Sequence, residues 1–135
     1  MVVYIDSGPF IAYLRRKDRD HAVVCRRLVK LQDELDRVVT SDAVVAEVAT
    51  GLRYDIGLDA VLAFRGLLDA FGRHLRIVES SVERRGLALD LMGQYADLRL
   101  SYVDCIGAIV ARETKAAVVF SLDNDFRVLG FTVEP

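Results

Sequence analysis

The stretch Val2-Val3-Tyr4-Ile5-Asp6-Ser7-Gly8-Pro9-Phe10 decides the fold class. Four apolar residues in a row meet an acid, then a small hydroxyl residue, a glycine and a proline. An apolar run that short, without polar alternation, reads as a parallel strand buried on both faces. Ser7 is placed to cap a helix, and Pro9 is tolerated in a helix's first turn. A buried strand running straight into a helix is the opening unit of an α/β sheet.

The rest of the chain repeats that alternation. The first helix is expected to run to about Lys17, and a second from about Asp20 to Leu35. In the second, Val24, Leu28, Leu31 and Leu35 recur at helical spacing and leave Arg26, Arg27 and Lys30 on other faces. Arg37 to Thr40 predicts a second strand, and Ser41 caps the helix that carries Glu47. Leu58 to Phe71 is a further amphipathic helix, and Leu75 to Val78 a strand. Ser80 and Glu83 have the spacing of a capping box, as do Ser101 and Asp104 with Asp in place of Glu. Ala88, Leu91, Tyr95 and Leu98 mark a buried stripe between them. The helix after Ser101 extends to about Lys115. Ala117 to Phe120 is the last strong strand, with a short edge strand expected over Gly130 to Val133. Strands separated by helices imply right-handed crossovers and a short parallel sheet covered on both faces, a three-layer α/β/α sandwich.

Composition sets bounds on this reading. The chain has 135 residues, 53% of them hydrophobic, enough for one domain over residues 1–135 with a real core and too apolar for a disordered tail. The formal charge of −2 argues against nucleic acid only if the acids are spread evenly. Setting aside four that fall at special positions makes the remainder positive. Of the basic residues 15 are Arg and 3 are Lys, a bias towards the side chain that grips phosphate in bidentate fashion. Arg15-Arg16, Arg26-Arg27 and Arg84-Arg85 are candidate backbone contacts, with a solvated helix face as the plain account of each. Cys25 and Cys105 are too few and too far apart for a zinc knuckle or a disulfide framework, and both sit in apolar helical patterns. Free thiols suit a reducing cytoplasm. The N-terminal apolar run stops at Asp6, too short for a signal peptide, and no stretch approaches a membrane span.

The four special acids are Asp6, Glu47, Asp104 and Asp123. Asp6 and Asp123 follow apolar strands; Glu47 and Asp104 lie in the first turns of helices. In an open parallel sheet those places converge on the edge formed by the strands' carboxyl ends. Each has a plain structural account: Asp104 as a cap, Asp123 as a turn residue, Glu47 on a helix face. Yet Glu47 lies among Val44, Val45, Ala46, Val48 and Ala49, and Asp6 between a buried strand and Gly8-Pro9-Phe10. A carboxylate in apolar surroundings is costly unless something pairs with it. Carboxylates drawn together either take up protons or bind a cation. Oxygen-only ligands suit a hard divalent ion, Mg2+ or Mn2+, and such a site serves phosphoryl-transfer chemistry. His21 and His74 have no ligand-like companions in sequence. A receiver would need adjacent acids after the first strand and a Lys after its last strong one. A dehalogenase-type phosphatase would need Asp-x-Asp. Asp6-Ser7-Gly8 supplies neither.

Tyr4-Ile5-Asp6-Ser7, then Ala43-Val44-Val45-Ala46-Glu47-Val48, then Ser101-Tyr102-Val103-Asp104-Cys105, then Ser121-Leu122-Asp123-Asn124-Asp125-Phe126, resembles a PIN domain. It most resembles the VapC-type toxins of toxin–antitoxin pairs. The resemblance covers nearly the whole chain in order. It implies a metal-dependent endoribonuclease in which Asp6, Glu47, Asp104 and Asp123 form an acidic quartet, Asp6 and Asp104 holding Mg2+ (or Mn2+) directly. It matches Ser121 to a hydroxyl residue common before the last acid. Ser7 stands where the family often has Thr, and Asp125 is an alternative to Asp123. Asp97 is a possible extra acid, with the end of a helix as its simpler account. Arg112 is either a phosphate contact or the partner of Glu113. The implied partners are an RNA substrate of the tRNA or rRNA class, a cognate antitoxin with an Arg-rich segment, and a second copy of the chain. The region of Leu52, Ile56, Leu58, Val61, Leu62 and Phe64 offers apolar surface for such contacts, or else belongs to the core. The alternative is a non-catalytic PIN-like module that binds RNA or protein and holds a structural metal.

Overall fold

The computed structural model describes residues 1–34 and 37–135. Five strands, β1 (Val2–Ile5), β2 (Arg37–Ser41), β3 (Leu75–Val78), β4 (Val118–Phe120) and β5 (Val133–Glu134), form one sheet in the order β3-β2-β1-β4-β5. All neighbours pair in parallel. Helices α1 (Ser7–Leu14) and α2 (His21–Asp33) join β1 to β2, and α3 (Asp42–Asp55) and α4 (Leu58–Phe71) join β2 to β3. Helices α5 (Val82–Gln94) and α6 (Tyr102–Glu113) lead from β3 to β4, and the short α7 (Asp125–Val128) precedes β5. Among the described residues no helix is long and apolar enough to cross a membrane.

The strand order reverses at β1. Right-handed crossovers therefore put α1 to α4 on one face and α5 and α6 on the other, giving three layers. The crevice between the carboxyl ends of β1 and β4 is the switch point where open α/β sheets bind ligands. β1 is central because Val3, Tyr4 and Ile5 are all fully buried, as a strand covered on both faces requires.

Tyr4 faces α6. Its hydroxyl donates to Ser41 Oγ over 3.2 Å, and Ser41 in turn accepts the Val44 amide and so caps α3. The ring lies so close beneath α6 that a Cβ at Gly107 would stand 2.7 Å from the Tyr4 hydroxyl and 3.1 Å from two ring carbons. Gly107 lets the helix sit down on the strand, which fixes how near its N-terminal turn comes to the end of β1.

Several expected boundaries move. Asp6, not Ser7, is the N-cap of α1, and its side chain makes no capping bond. α1 stops at Leu14, short of Lys17, and α6 at Glu113, short of Lys115. The stripe position Leu35 lies outside the described residues. The cap of α5 is Ser81, whose hydroxyl accepts the Arg84 amide, so the Ser80–Glu83 capping box does not form. The edge strand is Val133–Glu134, nearer the C-terminus than expected, pairing with Val119 and Phe120, and Glu134 forms an ion pair with Arg27 at 2.6 Å. The apolar region of α3 and α4 divides: Leu52 and Phe64 are core, whereas Ile56, Leu58 and Leu62 are exposed beside Tyr54.

Gly107→Ala is expected to destabilise the fold by about 1–3 kcal/mol through overpacking, despite the ~1 kcal/mol that helix propensity returns. Urea unfolding measures it, and a Tyr4→Phe background should lessen the cost. Unchanged stability would refute the tight α6–β1 contact.

Candidate active site

The end of β1 delivers Asp6 into the switch crevice. The Asp6 amide donates to the Phe120 carbonyl over 3.0 Å, so the ladder with β4 continues one residue beyond the strands. Ser121, the residue after β4, donates its hydroxyl to Asp6 Oδ2 at 2.8 Å. Asp6 Oδ1 is buried and has no hydrogen-bond partner. Burial is the main reason the Asp6 carboxyl is pushed up to about 7; the Ser7 amide and Ser121 pull it down, and the charges of Asp104 and Glu47 push it further up.

Asp104 arrives from the first turn of α6. Both bonds of the expected capping box form: Asp104 N to Ser101 Oγ at 3.0 Å and Ser101 N to Asp104 Oδ2 at 2.9 Å. The cap uses one carboxylate oxygen and aims the group at the crevice. Its acidity is also weakened, first by burial and then, against the Ser101 hydrogen bonds, by the charges of Asp123 and Glu47. Cys105, behind it, is pushed up to about 11 by burial and by Asp104.

Glu47 corrects the sequence argument made for it. Its apolar neighbours in sequence are not its neighbours on the helix. Val44, Val48 and Leu52 form the buried face of α3, and Glu47 is exposed. It still turns to the crevice, where the Ser7 hydroxyl donates to its Oε2. Ser7 therefore ties α1 to α3 instead of capping α1. Beside Glu47 opens a cavity of about 650 Å³, walled by Ala43, Ala46, Thr50, Tyr102 and Val103.

Asp123 sits in the turn after β4. Its amide donates a hydrogen bond to Ser121 Oγ at 3.0 Å, and its Oδ1 accepts the Asp125 amide at 2.9 Å. Asp104 feels the charge of Asp123. Asp97 is exposed after α5. Arg112 is bonded to the Leu129 carbonyl at 3.3 Å and lies over the Phe131 ring, while Glu113 pairs with Arg84. Each arginine pair is half committed: Arg15, Arg27 and Arg84 hold Asp55, Glu134 and Glu113, leaving Arg16, Arg26 and Arg85 exposed.

The four acids thus share one mouth, although among the described residues no three His, Cys, Asp or Glu side chains stand close enough to cage an ion as they are. Mutual repulsion favours that spread. The donor chemistry fits a hard divalent cation. The groups are carboxylates and serine hydroxyls, and the desolvated Asp6 Oδ1 lacks the partner that buried polar atoms almost always have. Sequence reasoning overlooked the buried Tyr4, whose hydroxyl burial and nearby Asp6 hold in its neutral form, and Thr40, whose hydroxyl donates to the Ile5 carbonyl at 2.7 Å. A polar residue in an otherwise apolar buried strand was the available signal for both.

Residues 3–132 match the PIN domain family model. The chain belongs to the PIN domain family. Its fold is that of solved VapC-type structures. Mycobacterium tuberculosis VapC20, described as a sarcin-ricin loop cleaving toxin, aligns at 22% identity with a TM-score of 0.84, covering 98% of this chain and 99% of that one. VapBC2 from Rickettsia felis, bound to a promoter DNA fragment, aligns at 17% identity and TM-score 0.70 over 99% and 98%. FitAcB from Neisseria gonorrhoeae aligns at 16% identity and TM-score 0.72 over 98% and 96%. Among curated proteins no sequence match was found. In this PIN domain Asp6 and Asp104 flank the switch-point crevice, with the charges of Glu47 and Asp123 acting on Asp104.

The burial of Asp6 makes a prediction about stability. A carboxyl raised in the folded state contributes stability that is full below the unfolded value of 3.8 and is lost as pH rises through about 7. In chelator at pH 8, Asp6→Asn should therefore melt above the parent, by about 2 kcal/mol or ~5–10 °C. The gap should narrow towards pH 6. Added Mn2+ should raise the melting temperature of the parent alone. A variant that melts below the parent at pH 8 in chelator would contradict this account of Asp6.

Proposed function

We propose that this PIN domain is a Mg2+-dependent (or Mn2+-dependent) endoribonuclease, the toxin of a toxin–antitoxin pair. The observation that carries the reading is the buried, partnerless Asp6 Oδ1 within electrostatic reach of a second carboxylate, Asp104, whose protonation is also favoured. Asp6 and Asp104 hold the ion; Glu47 and Asp123 complete its shell directly or through water. A bound divalent ion supplies a water of lowered pKa and neutralises charge on the phosphate. The chain's own groups do the rest. Ser121 orients Asp6, the Ser101 cap orients Asp104, and Ser7 orients Glu47. Glu47, exposed at the rim, is free to accept a proton from the attacking water. Ser7 and Ser121 already donate to Glu47 and Asp6, and neither has a His or Lys among its hydrogen-bond partners, so neither serves as a covalent nucleophile. The cavity between Glu47 and Tyr102 gives flanking nucleotides an apolar wall and an aromatic ring.

The likeness to the solved structures of VapBC2 and FitAcB supports a cognate antitoxin for this chain. An Arg-rich antitoxin segment complements the acidic mouth. The exposed Tyr54, Ile56, Leu58 and Leu62 support a further protein contact, either the antitoxin or a second copy in a homodimer. Free thiols are in keeping with the cytoplasm.

Antitoxin-free protein incubated with structured tRNA and rRNA fragments should cut them only when Mg2+ or Mn2+ is present. Asp6→Asn and Asp104→Asn should each lower the rate by at least ~100-fold, and Glu47→Gln and Asp123→Asn by ~10-fold or more. Gel analysis of end-labelled RNA measures it. Cleavage that survives both Asp6→Asn and Asp104→Asn would remove the site assignment.

A further inference from the structure

Away from the acidic crevice, α1, α2 and α4 enclose a cavity of about 410 Å³ lined by Tyr13, Arg16, His21, Cys25, Ala60 and Ala63. It contains a cysteine and a histidine one helical turn apart, with Cys25 Sγ 3.4 Å from His21 Nε2. The other ring nitrogen, Nδ1, is 2.8 Å from the Ala12 carbonyl. A carbonyl can only accept, so in the neutral ring Nδ1 carries the hydrogen and Nε2 presents its lone pair to the thiol. That is the arrangement of a nucleophile, a base, and a third group that fixes the base. Cys25 is half-buried, within reach of a small molecule, whereas Cys105 is fully buried behind α6. Arg16 is exposed at the same cavity and brings a positive charge to its rim.

We propose that Cys25 is a modification site, a thiol that His21 activates for exchange with small anionic disulfides. In the exchange the Cys25 Sγ–H proton passes to His21 Nε2. The sulfur's electron pair attacks one sulfur of the disulfide, whose S–S bond breaks with its electrons on the departing thiolate. An alkyl thiolate takes the proton back from His21; an aryl thiolate, a weaker base, leaves as the coloured anion and His21 gives the proton to water. The products are a mixed disulfide on Cys25 and one free small thiol, so the incoming disulfide is the oxidant and nothing else is consumed. Arg16 selects anionic reagents by attraction at the cavity mouth. The adduct would stand between α2 and the Ala60–Ala63 face of α4. The proposal is independent of the nuclease reading, because none of these residues contributes to the acidic crevice.

The test uses the full chain with a dianionic aryl disulfide whose released thiolate is coloured, and with a neutral pyridyl disulfide for comparison. Peptide mass analysis locates the adduct. Native Cys25 should react at least ~10-fold faster than Cys25 in the urea-unfolded chain. Cys25→Ser should abolish the fast phase. His21→Gln should bring the native rate down to the unfolded one, and Arg16→Ala should slow the anionic reagent but not the neutral one. A native rate at or below the unfolded rate overturns the proposal with no variant needed. So does an adduct on Cys105, or a His21→Gln protein that keeps its circular dichroism spectrum and its full rate. Equal effects of Arg16→Ala on both reagents would overturn the anionic preference.

Discussion

The fold spends stability to keep one carboxylate oxygen dry and unpaired. Asp6 Oδ1 lies at the end of the central strand, out of water and without a donor. Burying an ionised carboxylate without a partner is among the costliest things a small domain can do. Asp6 occupies the N-cap position of α1 yet caps nothing. Ser121 satisfies only the other oxygen. Three further acids stand around the same mouth and worsen the repulsion. A divalent cation held there, as proposed, would offset that repulsion and partner the dry oxygen.

The remainder of the structure holds that arrangement in place. Gly107 lets α6 settle onto the Tyr4 ring, bringing the Ser101–Asp104 cap to the end of β1. Ser41 accepts from both Tyr4 and the Val44 amide, so the strand carrying Asp6 and the helix carrying Glu47 share one hydroxyl. The Asp6 amide to Phe120 carbonyl bond locks β1 to β4 just where the chain leaves the sheet. Asp104 caps α6 through Oδ2, which leaves Oδ1 for the proposed ion. The stability cost at Asp6 and the rigidity supplied by Tyr4, Ser41 and Gly107 are two parts of one design.

Much of this was legible in the sequence because it rests on short-range rules. The apolar run before Asp6, the Ser101–Asp104 spacing and the strand–helix alternation each have a local cause, and the three-layer parallel sheet follows from them. What was not legible depended on contacts between distant elements. Glu47 looked buried because Val44 and Val48 surround it in sequence, but a helix turns those residues inward and Glu47 outward. The capping-box spacing favoured Ser80, three residues before Glu83, but the helix begins one residue later and Ser81 caps it through the Arg84 amide. Arg27 looked like a solvent-facing charge until β5 brought Glu134 to it. The turn after β4 was equally illegible: there Asp123 accepts the Asp125 amide, and the charge of Asp123 reaches Asp104.

The central claim is that Asp6 and Asp104 together hold a divalent cation at the switch between β1 and β4. The most direct measurement is the anomalous scattering of Mn2+ in crystals of the protein. The account predicts a peak within coordination distance of Asp6 Oδ1 and an Asp104 oxygen, lost in Asp6→Asn crystals grown in the same Mn2+. A peak elsewhere on the chain, or an empty crevice under Mn2+ concentrations that support RNA cleavage, would contradict it.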